Sequence, residues 1–370
     1  MQKILQTSGL GEETYMPPRL FDAPPWREQV SMQAKRQESE AVMFTCIKNV
    51  LYSSRVAPSE IDILVMNCSV FNPTPSLSAA VVNHFRLKPT VITYNLSGMG
   101  CSAGLQSIAL VRELLQVYPG QTALVVSLEN ITENVYLGNQ RSMTITNCLF
   151  RLGGAAALLS NKRRHWWTAR YELQHMVRTH MGSDDESYNC VSQQEDSEGI
   201  RGIKLDKALM RVAGRALMHN LQQLGPLVLP LRERWRYALS WLARALIAKD
   251  RELYKPSFDH AFNHFCIHTG GRGILDGLEK QLSLSPAHLV PSRETLKRYG
   301  NTSSSSIWYV LAYIETKRGL KRGDKVLQLA FGSGFKVNSA VWRARRTFFK
   351  QHAAFLDIYA KPIIRSTSMP

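Results

Sequence analysis

Asn95-Leu96-Ser97-Gly98-Met99-Gly100-Cys101-Ser102-Ala103-Gly104 is the segment from which the remaining chain can be worked out. An apolar, β-branched run at residues 91–94 precedes it. Leu105, Ile108, Ala109, Val111 and Leu115 follow at spacings that put them on one helical face. Cys101 is thus expected where a strand turns sharply into a helix, with Gly98, Gly100 and Gly104 allowing the tight backbone of such an elbow. A thiol there meets the positive end of the helix dipole and free N–H groups, so its pKa is expected to fall. A fall from about 8.5 to about 7 would raise the thiolate share at neutral pH from roughly 3% to about half. A small buried core cysteine is the plainer alternative, and the flanking glycines weigh against it.

The chain has 370 residues, 44% hydrophobic and 20% charged, which fits a globular protein of one large domain or two similar halves. Its formal net charge of +17 would suit nucleic acid, an anionic membrane or a phosphate-rich small molecule. No nucleic-acid-binding motif accompanies the charge, which leaves coenzyme A or a membrane surface as the expected partner. Six cysteines (46, 68, 101, 148, 190 and 266) show neither CxxC pairs nor metal-ligand spacing, so reduced thiols and no metal are expected. No apolar run approaches the ~20 residues of a transmembrane helix.

Four segments are expected. Residues 1–30, rich in Pro17, Pro18, Pro24 and Pro25, read as an arm over a surface. Residues 31–220 form a first half: a helix at 38–52, strands at 61–67, 91–94 and 123–128, a turn at 72–76 capping a helix at 77–85, and strands at 151–159 and 164–178. Residues 221–257 form a basic amphipathic connector. Within it Leu231, Trp235, Leu239, Leu242 and Leu246 share one helical face, while Arg232, Arg236 and Arg244 lie toward the other. That pattern fits a helix lying in a membrane interface, and equally a surface helix packed on its own core. Residues 258–370 form the second half: a helical pattern leading to His264–His268, a helix through Leu282, the apolar helix 307–315, and a strand at 325–331 closed by Gly332-Ser333-Gly334-Phe335. Apolar strands alternating with helices in both halves predict an α/β fold.

A nucleophilic cysteine needs a histidine and a polar orienting group, brought together by the fold rather than by sequence. His268 before Gly270-Gly271 and Asn301 after Gly300 both sit in turn-like surroundings. Taken singly, His268 also fits a structural histidine and Asn301 a turn residue.

As a set, Cys101, His268 and Asn301 resemble the catalytic residues of plant-type 3-ketoacyl-CoA synthases, the condensing enzymes of fatty acid elongation. These belong to the thiolase-like, chalcone synthase-like superfamily. The similar stretches include Asn67-Cys68-Ser69-Val70-Phe71-Asn72-Pro73-Thr74-Pro75-Ser76, Gly98-Met99-Gly100-Cys101-Ser102-Ala103-Gly104, Val177-Arg178-Thr179-His180, His264-Phe265-Cys266-Ile267-His268, Gly300-Asn301-Thr302-Ser303-Ser304 and Gly332-Ser333-Gly334-Phe335-Lys336. They run in family order over residues 3–343. The resemblance implies a five-layered αβαβα sandwich of two similar halves and a Cys-His-Asn triad. It adds His180 and His264 as residues of importance, and Gly332, Ser333 and Gly334 as oxyanion or loop support. It implies condensation of a long or very-long-chain acyl-CoA with malonyl-CoA, without metal or redox cofactor. It further implies a homodimer, other elongase subunits as partners, and the cytosolic face of the endoplasmic reticulum membrane. The alternatives are a type III polyketide synthase-like enzyme and a non-catalytic membrane scaffold; a nucleic-acid partner has only net charge in its favour. Two departures stand out. Lys297 occupies a position where relatives usually carry histidine, and the two membrane-spanning helices with which family members usually begin have no counterpart here.

Overall fold

The computed structural model describes residues 2–20, 31–246, 254 and 256–358. Pro24, Pro25 and Lys249 lie outside the described residues. Two four-stranded sheets organise the chain. The first has the order β2-β1-β3-β4, from Ile63–Asn67 (β1), Ile92–Leu96 (β2), Thr122–Leu128 (β3) and Gly154–Ser160 (β4). Its β1–β2 and β1–β3 pairs are parallel and β3–β4 is antiparallel. A small ribbon joins Val191–Glu195 (β6) to Arg201–Leu205 (β7). The second sheet has the order β5-β10-β9-β8, from Tyr171–His180 (β5), His264–Ile267 (β8), Lys325–Gly332 (β9) and Lys336–Ala344 (β10).

β1 and β3 are buried along their whole length because helices cover both faces of their sheet. Alternate residues serve different cores. Leu64, Met66, Leu124 and Val126 pack with Met43, Ile47, Leu77 and Val81 of the outer helices Met32–Ser54 and Leu77–Phe85. Ile63, Val65, Ala123 and Val125 turn the other way, onto the central helices Ala103–Val117 and Ser306–Lys317, where Leu105, Ile108, Ile307 and Val310 meet them. Cys266, Val326 and Ala330 of the second sheet close that same core from the far side. Phe265, Ile267, Leu327 and Leu329 then face a third core with Leu209–Val228, Arg272–Leu282 and Pro286–Tyr299. The result is five layers: helices, sheet, helices, sheet, helices.

Several local expectations need correction. The buried apolar side of Met32–Ser54 is Met43, Ile47 and Leu51; of the face expected from the sequence, Val42, Cys46, Val50 and Leu51, only Leu51 is buried, and Val42 and Val50 are half-buried against the same core. Trp166 and Trp167 are not in a strand. Arg163–Trp166 forms a 3₁₀ turn, with the Arg345 guanidinium over the Trp166 ring at 3.3 Å, and β5 starts only at Tyr171. Residues 258–263 are turns rather than a helix. The helix Pro286–Tyr299 and the strand β10 were not foreseen. The amino-terminal arm holds a short helix, Gln2–Ser8, and is tied down by Gly11 N–H donating to the Lys297 carbonyl at 2.7 Å. The segment expected as one connector is two helices: residues 221–228 end the core helix Leu209–Val228, and Leu231–Leu246 stands apart. As predicted, Ser76 caps Leu77–Phe85, its hydroxyl accepting from Ala79 N–H at 3.1 Å.

Candidate active site

β2 runs into a 3₁₀ turn, Gly100–Ser102, that leads directly into the helix Ala103–Val117. Cys101 lies in that turn, at the base of a central helix. Gly100 has φ +60, and a Cβ there would sit 2.9 Å from Ser333 N. Only glycine combines that backbone with so close a neighbour. At Gly104 a Cβ would stand 2.4 Å from the Ser304 carbonyl oxygen, so the helix base presses on the Asn301–Ser304 loop. The elbow therefore joins the two halves as well as presenting the thiol.

The second half meets it from two strands. β8 ends at Ile267, and His268 follows, its N–H donating to Leu329 O of β9 at 3.0 Å. Thr269 Oγ1 donates to Gly300 O at 3.0 Å, tying the end of β8 to the loop that carries Asn301. β9 ends at Gly332, packed on Met99 and Ser102, either side of Cys101. Cys101 Sγ lies 3.9 Å from Asn301 Oδ1. So loose an approach is ordinary for catalytic groups before substrate binds. Asn301 Oδ1 also accepts from Ser303 N–H at 2.9 Å. A backbone N–H can only donate, which makes the facing atom the oxygen and leaves the amide nitrogen as that side chain's donor.

The electrostatics correct one expectation. Cys101 keeps some accessible surface, but protein crowds the sulfur, and this desolvation pushes the thiol up to about 12. Hydrogen bonding with Ser303 and the local backbone opposes the shift without overcoming it. Burial likewise holds His268 down at about 4. The resting pair is a neutral thiol and a neutral imidazole, not the thiolate the dipole alone predicts. His268 Nδ1 is buried without a hydrogen-bond partner among the described residues. A buried polar atom left without a partner costs about 1–3 kcal/mol.

The other candidates divide. His180 ends β5 beside the Gly332–Phe335 turn, and Met181 N–H donates to Phe335 O at 2.8 Å. It supports that turn rather than joining Cys101 and Asn301. His264 begins β8, at the opposite end of the strand from His268, and its Nε2 pairs with Asp324 Oδ2 at 3.1 Å. It is not brought to the site. Ser333 Oγ reaches back toward Gly98 O at 3.5 Å, and Lys336 Nζ holds Ser333 O at 2.9 Å, so Gly332, Ser333 and Gly334 form a braced wall beside the elbow. Lys297 is exposed in the last turn of Pro286–Tyr299.

One residue was missed. Glu129, directly after the wholly buried β3, accepts from Ser69 N–H and Val70 N–H, each at 3.1 Å, and from Ser303 Oγ and Cys68 Sγ, each at 3.3 Å. Burial raises its pKa, and its charge in turn raises that of Cys101. An acid closing an apolar strand, one position past the sheet, was the available signal.

Comparison with known proteins agrees with this geometry. Residues 1–246 match the model of the FAE1/type III polyketide synthase-like proteins, and residues 249–345 match the carboxy-terminal domain of chalcone and stilbene synthases. The chain belongs to this family of condensing enzymes. Among its relatives, 3-ketoacyl-CoA synthase 5 of Arabidopsis thaliana is 52% identical over 93% of this chain and 70% of its own length. 3-Ketoacyl-CoA synthase 2 of the same plant is 56% identical over 94% and 66%. A probable 3-ketoacyl-CoA synthase 20 of Oryza sativa subsp. japonica is 50% identical over 100% and 69%. The chain thus spans roughly two thirds of these relatives' length. Among solved structures, 1,3,6,8-tetrahydroxynaphthalene synthase of Streptomyces coelicolor A3(2) superposes with TM-score 0.72 at 20% identity, covering 93% of this chain and 88% of that one. The type III polyketide synthase domain of Steely1 from Dictyostelium gives 0.70 at 21%, with the same coverage. The five layers are therefore the thiolase-like sandwich.

Proposed function

We propose that this protein is a 3-ketoacyl-CoA synthase, condensing an acyl-CoA with malonyl-CoA in fatty acid elongation. The observation that carries it is the approach of Cys101 to Asn301 across the two halves, in a chain about half identical to proteins of that name. Cys101 sulfur attacks the acyl-CoA thioester carbon. The new S–C bond replaces the bond to coenzyme A, and the thiol proton passes to the departing coenzyme sulfur, with His268 as the basic group at hand. The malonyl C–COO bond then breaks, carbon dioxide leaves, and the electron pair becomes an enolate on the thioester. Asn301 amide N–H and His268 donate to the oxygen where that charge develops. The enolate carbon attacks the acyl carbon, the bond to Cys101 breaks, and the sulfur takes up a proton from solvent. The product is two carbons longer, with a 3-keto group.

We place the protein as a homodimer at the cytosolic face of the endoplasmic reticulum membrane, with other elongase subunits and long or very-long-chain acyl-CoA as substrate. The family resemblance supports this, and β2 adds support for the dimer, because among the described residues it pairs with β1 alone and leaves an edge to cover. The test is an assay with malonyl-CoA and a ladder of acyl-CoA primers, read by product mass. Products one two-carbon unit longer are expected. Repeated condensation to free polyketides, or no product from any primer, would overturn the assignment.

A further inference from the structure

The helix Leu231–Leu246 is folded inside out. Its one fully buried residue is Glu233, at 6% exposure, which accepts from Tyr254 OH at 2.8 Å and Ser257 N–H at 3.1 Å. Ser240 on the same side accepts from Tyr254 N–H at 2.7 Å. The opposite side carries Leu231, Trp235, Leu239, Leu242 and Leu246, and all five are exposed; Trp235 shows 67%, Leu239 61% and Leu246 75%. A helix seated on its own core does the reverse. The two descriptions that periodicity left equal are thereby separated, and the apolar stripe faces away from the protein.

We infer that this helix is an interfacial anchor for an anionic lipid bilayer, lying along its surface with the Leu–Trp stripe in the acyl–headgroup boundary. The charge selects that occupant. The helix has four arginines and a single acid, Glu233, which is buried and turned inward. Arg232 and Arg234 flank the stripe, so lipid headgroups of negative charge meet arginine on both margins while the side chains between them enter the apolar layer. A second copy of the chain would bring the same basic helix and repel it. Trp235 within the stripe and Trp241 beside it, 57% exposed, suit the boundary, where an apolar ring and a polar N–H are both accommodated. Sixteen residues make a rod about 24 Å long, enough to lie on a leaflet. Among the described residues no helix is long and apolar enough to cross a membrane, so this one would bind the surface without spanning it. The inference is independent of the condensation chemistry.

The experiment floats the full chain with vesicles of phosphatidylcholine, with and without phosphatidylserine, at about 0.1 M and about 1 M salt, where the screening length falls from about 10 Å to about 3 Å. Wild type should float with the anionic vesicles at low salt and at least tenfold less at high salt or without phosphatidylserine. Trp235→Glu with Leu239→Glu should float at least tenfold less under every condition, with Cys101 acylation and circular dichroism unchanged. Trp235→Ala with Leu239→Ala gives the same comparison should the glutamates disturb the helix. Equal flotation of variant and wild type, or no flotation of a folded wild type, would overturn the inference. So would a variant that loses self-association or a protein partner while still floating, since the stripe would then be a protein contact.

Discussion

Two helices of this molecule carry similar apolar periodicity and use it in opposite directions. Ala103–Val117 buries Leu105, Ile108, Ala109 and Val111 between the sheets, and its base is clamped against the Asn301–Ser304 loop. Leu231–Leu246 buries a glutamate and shows its leucines and tryptophans outward. The first is enclosed because sheets lie on both sides of it, and the site inherits its rigidity. The second has polar bonds on its inner side, so its apolar side is free for another medium. Periodicity reveals that a face exists; only the surroundings decide what it faces.

The contrast can be broken most severely at the base of the first helix. Cys101→Ala should abolish the acyl adduct formed with acyl-CoA alone and lower condensation by about 10³-fold or more, measured by peptide mass and product yield. A normal adduct on that variant would move the nucleophile elsewhere. Substitutions on the exposed stripe should leave turnover of a water-soluble, short acyl-CoA unchanged. Next in size, Asn301→Ala should still take the acyl chain yet release carbon dioxide from malonyl-CoA about 10²–10³-fold more slowly, the usual effect of losing one oxyanion donor. Near-normal release would remove Asn301 from the condensation step.

Stability sharpens the same comparison. Leu105→Ala leaves a cavity between sheets and should cost about 2–5 kcal/mol in urea unfolding. Leu239→Ala, at a site already in contact with solvent, should stay within about 0.5 kcal/mol. Equal losses would mean that the second helix is packed after all. The last comparison concerns the thiol. With its pKa raised to about 12, Cys101 is protonated through the neutral range, and its thiolate share rises about tenfold per pH unit. Iodoacetamide labelling should therefore climb steadily from pH 7 to pH 9. A plateau would show a thiolate already formed with His268. Glu129→Gln removes a neighbouring negative charge and should speed labelling a few-fold at fixed pH; no change would mean that Glu129 is protonated in the resting protein.

Much of the fold was legible because several strands, β1 and β3 above all, are largely apolar. Residues 123–128 can only be a strand covered on both faces, and β3 at Thr122–Leu128 is one. The elbow at Cys101 was readable from its glycines, and Asn301 from its turn. What failed was short-range inference where long-range contact dominates. Trp166 lies outside the predicted strand, in a turn where Arg345, far along the chain, stacks on it. His264 and His268 stand four positions apart, at opposite ends of one strand; the first pairs with Asp324, while Thr269, next to the second, bonds to the loop that carries Asn301. Glu129 was passed over because nothing near it in the chain declares that Cys68 and Ser303 converge on its carboxylate.

The amino-acid sequence alone determined which residues can form strands, where the cysteine elbow falls and which polar groups are available to it, since these follow from local backbone sterics and from the spacing of apolar side chains. Tertiary structure decided the protonation of the thiol and which face of the helix Leu231–Leu246 points outward. Desolvation depends on how many atoms the whole fold gathers around a sulfur, and it outweighs the local dipole here. The direction of an amphipathic face depends on which side finds partners, and Glu233 found Tyr254 and Ser257. Both are sums over contacts distant in the chain, which no local pattern contains.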